Sequence, residues 1–351
     1  MTRADVSSHS RSSNWSSVHA VVAGVGVAGF AAADQLLHLG ARVTVIDAGD
    51  GPRQRERSDI LEVVGATIRL GDGDTLPDDA DVLVVSPGLP PRAPVILAAQ
   101  DAGVPVWGEL ELAGRLRGPD PAPWLVVTGT NGKTTTTLML ESMLRAAGLR
   151  TAAVGNIGVS LVDAVMDPVG FDVLAVEVGA PQLPFLLTAS PLASVCLNLA
   201  QDHVDLFGSF EAYAAAKARI YANTQVAAVY NVADPETGRM VAEADVVEGC
   251  RAIGFTLGTP GLSMLGGVDD LLVDRDRIRE ALVRHAPDVP VVEVSRTDTG
   301  AMDDVVGAAA ALARPGDTVL LAPGCASWDM FRDYAQRGDA FADAVRRRAQ
   351  S

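Results

Sequence analysis

Of the 28 basic residues in this chain of 351, only two are lysines, Lys133 and Lys217. Arginine evidently serves wherever a generic positive charge suffices. Lysine can do two things arginine cannot: act as a compact phosphate-binding ammonium, and release its proton to become a reactive amine. Both lysines are therefore candidate functional residues. Lys133 lies in Thr128, Gly129, Thr130, Asn131, Gly132, Lys133, Thr134, Thr135, a glycine-rich run between an apolar strand pattern and a helix pattern. Such a loop can curl backbone N–H groups around phosphate oxygens. The helix N-terminus adds positive potential, Lys133 adds a point charge, and the Thr134 hydroxyl can ligate Mg²⁺. Val127 stands where the strict Walker pattern has its first glycine, and the alternative is an ordinary glycine-rich turn. The order strand, Gly-Lys-Thr, helix weighs against that alternative.

Other candidates are weaker on spacing alone. Gly24, Gly26 and Gly29, with Asp47 after the next strand, have the form of a dinucleotide fingerprint, although small residues also simply permit a tight turn. Which nucleotide would bind cannot be read from that spacing. Glu177 ends an apolar strand, where doubly wound sheets place ligands and where a carboxylate oxygen suits Mg²⁺; a solvated strand-end carboxylate is the competing reading. His203 follows another strand end, and a lone histidine is more often structural than a ligand. Lys217 falls in a helical run with Tyr213, Ala214 and Ile220 and on spacing reads as a surface lysine.

These residues need elements to hold them. Val18–Ala23, a glycine turn, a helix to about Leu39 and a strand Arg42–Ile46 form a βαβ unit. A further strand, Val82–Val85, runs into Ser86, and a Pro-rich stretch from Gly118 to Pro123 closes this block. A second α/β block begins with strand Trp124–Val127 and a helix from Lys133 to about Ala147. It continues through strands at Val173–Val178, Ser194–Leu199 and Ala227–Asn231. A third block comprises a helical pattern Arg275–His285, strand Val291–Val294, helix Gly300–Ala313, strand Thr318–Leu321 and terminal helices, too few strands for a complete doubly wound domain. The opening residues Met1–Ser17 are Ser-rich and polar and read as a disordered tail.

Bulk composition narrows the classes. At 48% hydrophobic residues the chain can bury substantial cores, and its net charge of −16 repels nucleic acid and anionic membrane. Cys196, Cys250 and Cys325 are widely spaced and odd in number, which fits reduced thiols in a cytoplasmic protein. The apolar run Val18–Ala33 stops short of the roughly 20 residues of a membrane span.

Together, the 128–134 loop, Gly155-Asn156-Ile157-Gly158, Asp202-His203 and Ala216-Lys217-Ala218-Arg219-Ile220-Tyr221 resemble the ordered motifs of the Mur ligases. The loop Pro323-Gly324-Cys325-Ala326-Ser327 is similar to that of the D-glutamate-adding branch. The resemblance implies an α/β fold of three domains: a Rossmann-like UDP-binding domain over 18–118, a central P-loop ATP-binding domain over 119–273, and a partial Rossmann-like C-terminal domain over 274–351. It also implies a chemistry. ATP would phosphorylate the carboxylate of UDP-N-acetylmuramoyl-L-alanine, and the amine of D-glutamate would attack the acyl phosphate.

The roles implied are these. Thr128 to Thr135 would hold ATP, with Lys133 on the β/γ-phosphates. Thr134, Glu177, His203 and a carbamylated Lys217 would carry Mg²⁺. Gly24, Gly26, Gly29, Asp47, Ser86 and Asn156 would contact the UDP substrate; Ser327, Trp328 and Tyr334 would contact D-glutamate. A cytoplasmic monomer is expected.

The chain departs from the family pattern in three places. After Glu177 it reads Gly179-Ala180-Pro181-Gln182-Leu183 where the family shows Ser-Ser-Phe-Gln-Leu. The loops that would hold uridine and D-glutamate also differ: Ala48-Gly49 lack a hydroxyl and a basic side chain, and Gly324 and Trp328 replace the family's residue types. Between Val273 and Ile278 the family's His-Asn-x-x-Asn adenine segment, its hinge and its Asp-Ser-Lys-Ala-Thr-Asn motif are absent. There Asp274-Arg275-Asp276-Arg277 repeats one dipeptide, as an in-frame deletion between short repeats would leave it. Two readings stay open: a ligase, or a non-catalytic nucleotide- or UDP-sugar-binding relative.

Overall fold

The computed structural model describes residues 3–202, 204–268, 271–274, 294, 296, 298, 300–314, 316, 319 and 334–350. They form two compact units, Met1–Ala252 and Ile253–Ser351.

The first unit contains two parallel sheets. In the first sheet β1 (His19–Ala23), α1 (Val27–His38), β2 (Arg42–Asp47), α2 (Pro52–Val63), β3 (Thr67–Leu70), β4 (Val82–Val85), α3 (Pro94–Asp101) and β5 (Val106–Gly108) alternate along the chain. The strand order is β3-β2-β1-β4-β5, all parallel. Every residue of β1 and β4 is buried, as expected of central strands covered on both faces. The order reverses between β1 and β4, and the glycine turn leaves β1 at that switch point, where open α/β sheets bind ligands.

Helix α4 (Glu109–Leu116) leads into the second sheet. Its elements are β6 (Trp124–Thr128), α5 (Lys133–Ala146), β7 (Thr151–Gly155), α6 (Leu161–Met166), β8 (Val173–Glu177), β9 (Ala193–Cys196), α7 (Val204–Phe207), α8 (Phe210–Ala218), β10 (Ala227–Asn231) and α9 (Pro235–Ala242). Parallel pairing gives β10-β9-β6-β8-β7, with β6 central. The glycine loop therefore leaves the middle of the sheet. The two layers are tied through α4: Glu111 is fully buried, and its carboxylate accepts from Leu187 N, Thr188 N, Thr188 Oγ1 and Arg115 Nε at 2.7–2.9 Å.

Residues 3–17 are not the disordered tail expected of them. Val6 and Trp15 are fully buried, Trp15 meets Trp107 edge-on at 6.5 Å, and Arg115 Nη1 donates to Ser7 O at 2.7 Å. The Ser-rich composition masked two apolar anchors, each of which gains about 1.5–3 kcal/mol on full burial.

The chain passes into the second unit along β11 (Arg251–Phe255). There Gly254 and Phe255 pair in parallel with β12 (Met264–Val268), which pairs antiparallel with β13 (Leu271–Asp274). Helices α10 (Ala301–Leu312) and α11 (Tyr334–Ala349) pack through Met302, Val306 and Ala344. Helix α10 matches the Gly300–Ala313 pattern. The expected helix Arg275–His285, and most of strands Val291–Val294 and Thr318–Leu321, lie outside the described residues. Among the described residues no helix is long and apolar enough to cross a membrane.

Candidate active site

Strand β6 ends at Thr128, a buried residue whose Oγ1 donates to Val178 O at 2.8 Å and so ties the start of the loop to the end of β8. Gly132 then caps α5 at φ +82°, a left-handed conformation that glycine adopts without a Cβ clash. Lys133 folds back over the loop, its Nζ donating to Gly129 O at 3.0 Å and Thr130 O at 2.9 Å. Thr134 and Thr135 follow on the first turn of α5, exposed. The far side of the loop is braced by Asn198, just beyond β9. Asn131 N donates to Asn198 Oδ1 at 2.9 Å, and Asn198 Nδ2 to Asn131 O at 3.1 Å. Thr130 Oγ1 lies 3.0 Å from Tyr213 OH.

Lys217 is not the surface lysine its helical spacing suggests: it is 1% exposed. Helix α8 buries Tyr213, Ala214 and Ala216 along with Lys217. Lys217 Nζ donates to Gly129 O at 2.7 Å and Thr128 Oγ1 at 3.0 Å, and lies 5.4 Å from the Tyr213 ring centroid. The chain's two lysines thus converge on the same carbonyl oxygen. Burial lowers the Lys217 pKa to about 8, and the like charge of Lys133 adds to the effect while Cys196 and Asp202 oppose it. Burial likewise pushes the neighbouring Cys196 thiol up to about 11, so that it is an inert thiol near neutrality.

On the other side of β6, Glu177 ends β8 with 1% exposure, against the reading of a solvated strand-end carboxylate. Its Oε1 accepts from Asn156 Nδ2 at 2.8 Å, while its Oε2 is buried with no hydrogen-bond partner. An orphaned buried carboxylate oxygen is costly unless something satisfies it. That oxygen and the exposed Thr134 hydroxyl are both hard donors of the kind Mg²⁺ takes. Among the described residues no group of three or more His, Cys, Asp or Glu could hold a metal by itself. His203 lies outside the described residues.

At the first glycine turn the three glycines are not equivalent. A Cβ on Gly29 would lie 1.8 Å from Gly24 O, and Gly24 takes φ +92°, whereas a Cβ on Gly26 would meet nothing within 4 Å. Asp47 holds this turn, accepting from Val25 N and Gly49 N at 2.8 Å each, and Ser86 Oγ donates to Gly24 O at 2.9 Å. Ser327 and Trp328 lie outside the described residues, as does the side chain of Tyr334.

Asn198 and Tyr213 were not singled out by sequence. The position of Asn198, two residues past a strand pairing with β6, was the available signal. That of Tyr213 appears only once α8 is docked.

The chain matches the Mur ligase MurD-like N-terminal domain over residues 18–108 and the Mur ligase middle domain over 127–263. The UDP-N-acetylmuramoylalanine–D-glutamate ligase of Streptomyces coelicolor is 45% identical, with 95% of this chain and 99% of that protein covered. The enzyme of the same name from Streptomyces avermitilis is 43% identical, with the same coverage. The one from Tropheryma whipplei is 43% identical over 75% of this chain and 56% of its own length. The Streptomyces coelicolor alignment runs over 465 positions, of which 95% of 351 residues can fill no more than about 334. About 130 positions of that relative therefore face no residue of this chain.

Proposed function

The chain belongs to the Mur ligase family, and we propose that it acts as an ATP-dependent ligase joining D-glutamate to UDP-N-acetylmuramoyl-L-alanine in peptidoglycan precursor synthesis. The observation that carries this reading is the pair of lysines meeting on Gly129 O beneath a glycine loop, with the orphaned Glu177 oxygen nearby on the neighbouring strand. Residues 128–135 would cradle the triphosphate. Lys133 would swing from the loop carbonyls to the β/γ-phosphates, where its charge offsets what builds up as the γ-phosphoryl moves to the substrate carboxylate. The amine of D-glutamate then attacks the acyl phosphate, forming the amide and releasing phosphate.

Mg²⁺, when bound, supplies Lewis-acid stabilisation of the phosphoryl oxygens. Thr134 and Glu177 are the residues of this chain suited to hold it, with His203 and a carbamylated Lys217 as further ligands. With a pKa near 8, Lys217 holds an appreciable neutral fraction. Its amine nitrogen would form a bond to the carbon of CO₂ and pass a proton to solvent, leaving a carbamate whose oxygens suit a hard cation. Gly24, Gly26, Gly29, Asp47, Ser86 and Asn156 would bind the UDP substrate, and Ser327, Trp328 and Tyr334 D-glutamate. We assign 18–118, 119–273 and 274–351 as the UDP-binding, ATP-binding and partial C-terminal domains of a cytoplasmic monomer.

The test is phosphate release by the purified chain with ATP, Mg²⁺, UDP-N-acetylmuramoyl-L-alanine and D-glutamate. Release that needs every component and falls at least about 100-fold in Lys133→Ala is expected, since that ammonium offsets charge in the transition state. The roughly 130 unmatched positions favour a second reading, a nucleotide- and UDP-sugar-binding relative without turnover. Binding of ATP and the UDP substrate with no phosphate release would establish it.

A further inference from the structure

Glu109 opens α4 and is 1% exposed. Its Oε1 accepts from Ser160 Oγ at 2.7 Å and Leu161 N at 2.9 Å, while its Oε2 is buried without a partner. Burial raises its pKa above the ordinary carboxyl range against the pull of those two bonds. The group these bonds fix, Ser160, ends the loop that leaves β7 at Gly155. That loop is pinned by two left-handed glycines. Gly155 takes φ +96° and passes so close to β8 that a Cβ would lie 2.4 Å from Glu177 O. Gly158 takes φ +65°, where a Cβ would lie 2.5 Å from Ala153 O. Between them Asn156 N donates to Glu177 O at 3.0 Å, and Asn156 Nδ2 donates to Glu177 Oε1 at 2.8 Å.

We infer that Glu109 is a positioning residue for Glu177: by anchoring Ser160 it fixes the loop that presents Asn156, and Asn156 aims the Glu177 carboxylate. The inference rests on the reading that the free oxygen of Glu177 receives Mg²⁺. Hydrogen-bonded partners outside the coordination shell orient metal-binding carboxylates, and removing one typically lowers metal affinity about 10–100-fold. A carboxylate that merely joined the two layers would change stability and leave the metal-dependent part of nucleotide binding alone.

The measurement is ADP binding by the full chain with and without Mg²⁺, beside its melting temperature. Wild type should bind ADP more tightly with Mg²⁺, and Glu177→Ala should abolish that gain. Glu109→Ala should lower the Mg²⁺-dependent gain about 10-fold while metal-free ADP affinity stays within about twofold. Glu109→Gln should restore most of the gain, because its amide oxygen can accept the same two bonds. Ser160→Ala keeps the bond from Leu161 N, so it should lose less, and it replaces Glu109→Ala should that variant not fold. A gain unchanged in Glu109→Ala, or equal losses with and without Mg²⁺, overturns the inference alone. A wild type with no gain, or a gain that survives Glu177→Ala, overturns the metal reading of Glu177 and the inference with it.

Discussion

At the scale of single residues, the site concentrates its energetic cost at Lys217. Its ammonium is buried, and folding lowers its pKa from 10.5 to about 8. Below pH 8 both folded and unfolded chains carry the proton, so the burial penalty is fully present. Between pH 8 and about 10.5 the folded chain has shed its proton and the unfolded chain has not, so stability rises through that window. Lys217→Met, an apolar side chain of similar length, should therefore stabilise the protein by about 1–3 kcal/mol at pH 7, with a gain that shrinks towards pH 10. Urea unfolding at both pH values checks this, and a Met variant less stable at pH 7 would refute it. The same low pKa predicts that ¹³CO₂ labelling of Lys217, read by NMR, increases from pH 6 to pH 9. Labelling that falls over that range would remove the carbamate from the proposed chemistry.

At the scale of elements, the two glycine loops differ in what the glycines do. Gly29 is required by the backbone it packs on, since a Cβ there would overlap Gly24 O at 1.8 Å. Gly29→Ala should destabilise by about 2 kcal/mol or more, as overpacking against fixed backbone does. A Cβ on Gly26 meets open space, and its φ of −63° suits any residue. Gly26→Ala should therefore change stability by less than about 0.5 kcal/mol, as an unstrained surface change does. If the turn receives a diphosphate against its backbone, the same variant should weaken binding of the UDP substrate. Calorimetric melting with a UDP-substrate titration separates the two effects. Unimpaired binding in Gly26→Ala would show that the ligand does not approach this turn.

At the scale of the whole molecule, the described residues of the two units differ in how much core they carry. Both large buried clusters, around β1 and β6 and around β4 and α3, lie within Met1–Ala252, whereas the described helices of the second unit share a cluster of three buried residues. Limited proteolysis should leave a core ending near Ala252, because local opening is cheapest where few apolar contacts are buried. The roughly 130 positions that the Streptomyces coelicolor relative carries opposite no residue here offer the complementary test. Inserting after Asp274 the adenine segment, hinge and Asp-Ser-Lys-Ala-Thr-Asn motif that the resemblance finds missing there should raise phosphate release by about 10-fold or more, since positioning supplies much of the rate of such a transfer. An insertion that leaves the rate unchanged would show that the absent segment does not limit catalysis.

What the sequence determined was whatever depends on local order. The strand, glycine loop and helix around Lys133 and the βαβ unit with its glycine turn follow from residue type and spacing along the chain, whereas the break after Val273 was visible only against the motifs of the family the chain resembles. Family membership was legible for the same reason, because its motifs are contiguous runs. Other features needed the tertiary structure because they join residues far apart in sequence. Lys217 read as a surface lysine, but the packed chain buries its amine 2.7 Å from Gly129 O. Glu177 read as a coin-toss between solvent and ligand until its Oε2 proved both buried and unpartnered. Composition hid the docking of Val6 and Trp15, since a count of serines says nothing about where two apolar side chains go. Burial is a property of the packed whole, and for Lys217, Glu177 and Glu109 burial turns an ordinary charged side chain into a candidate for function.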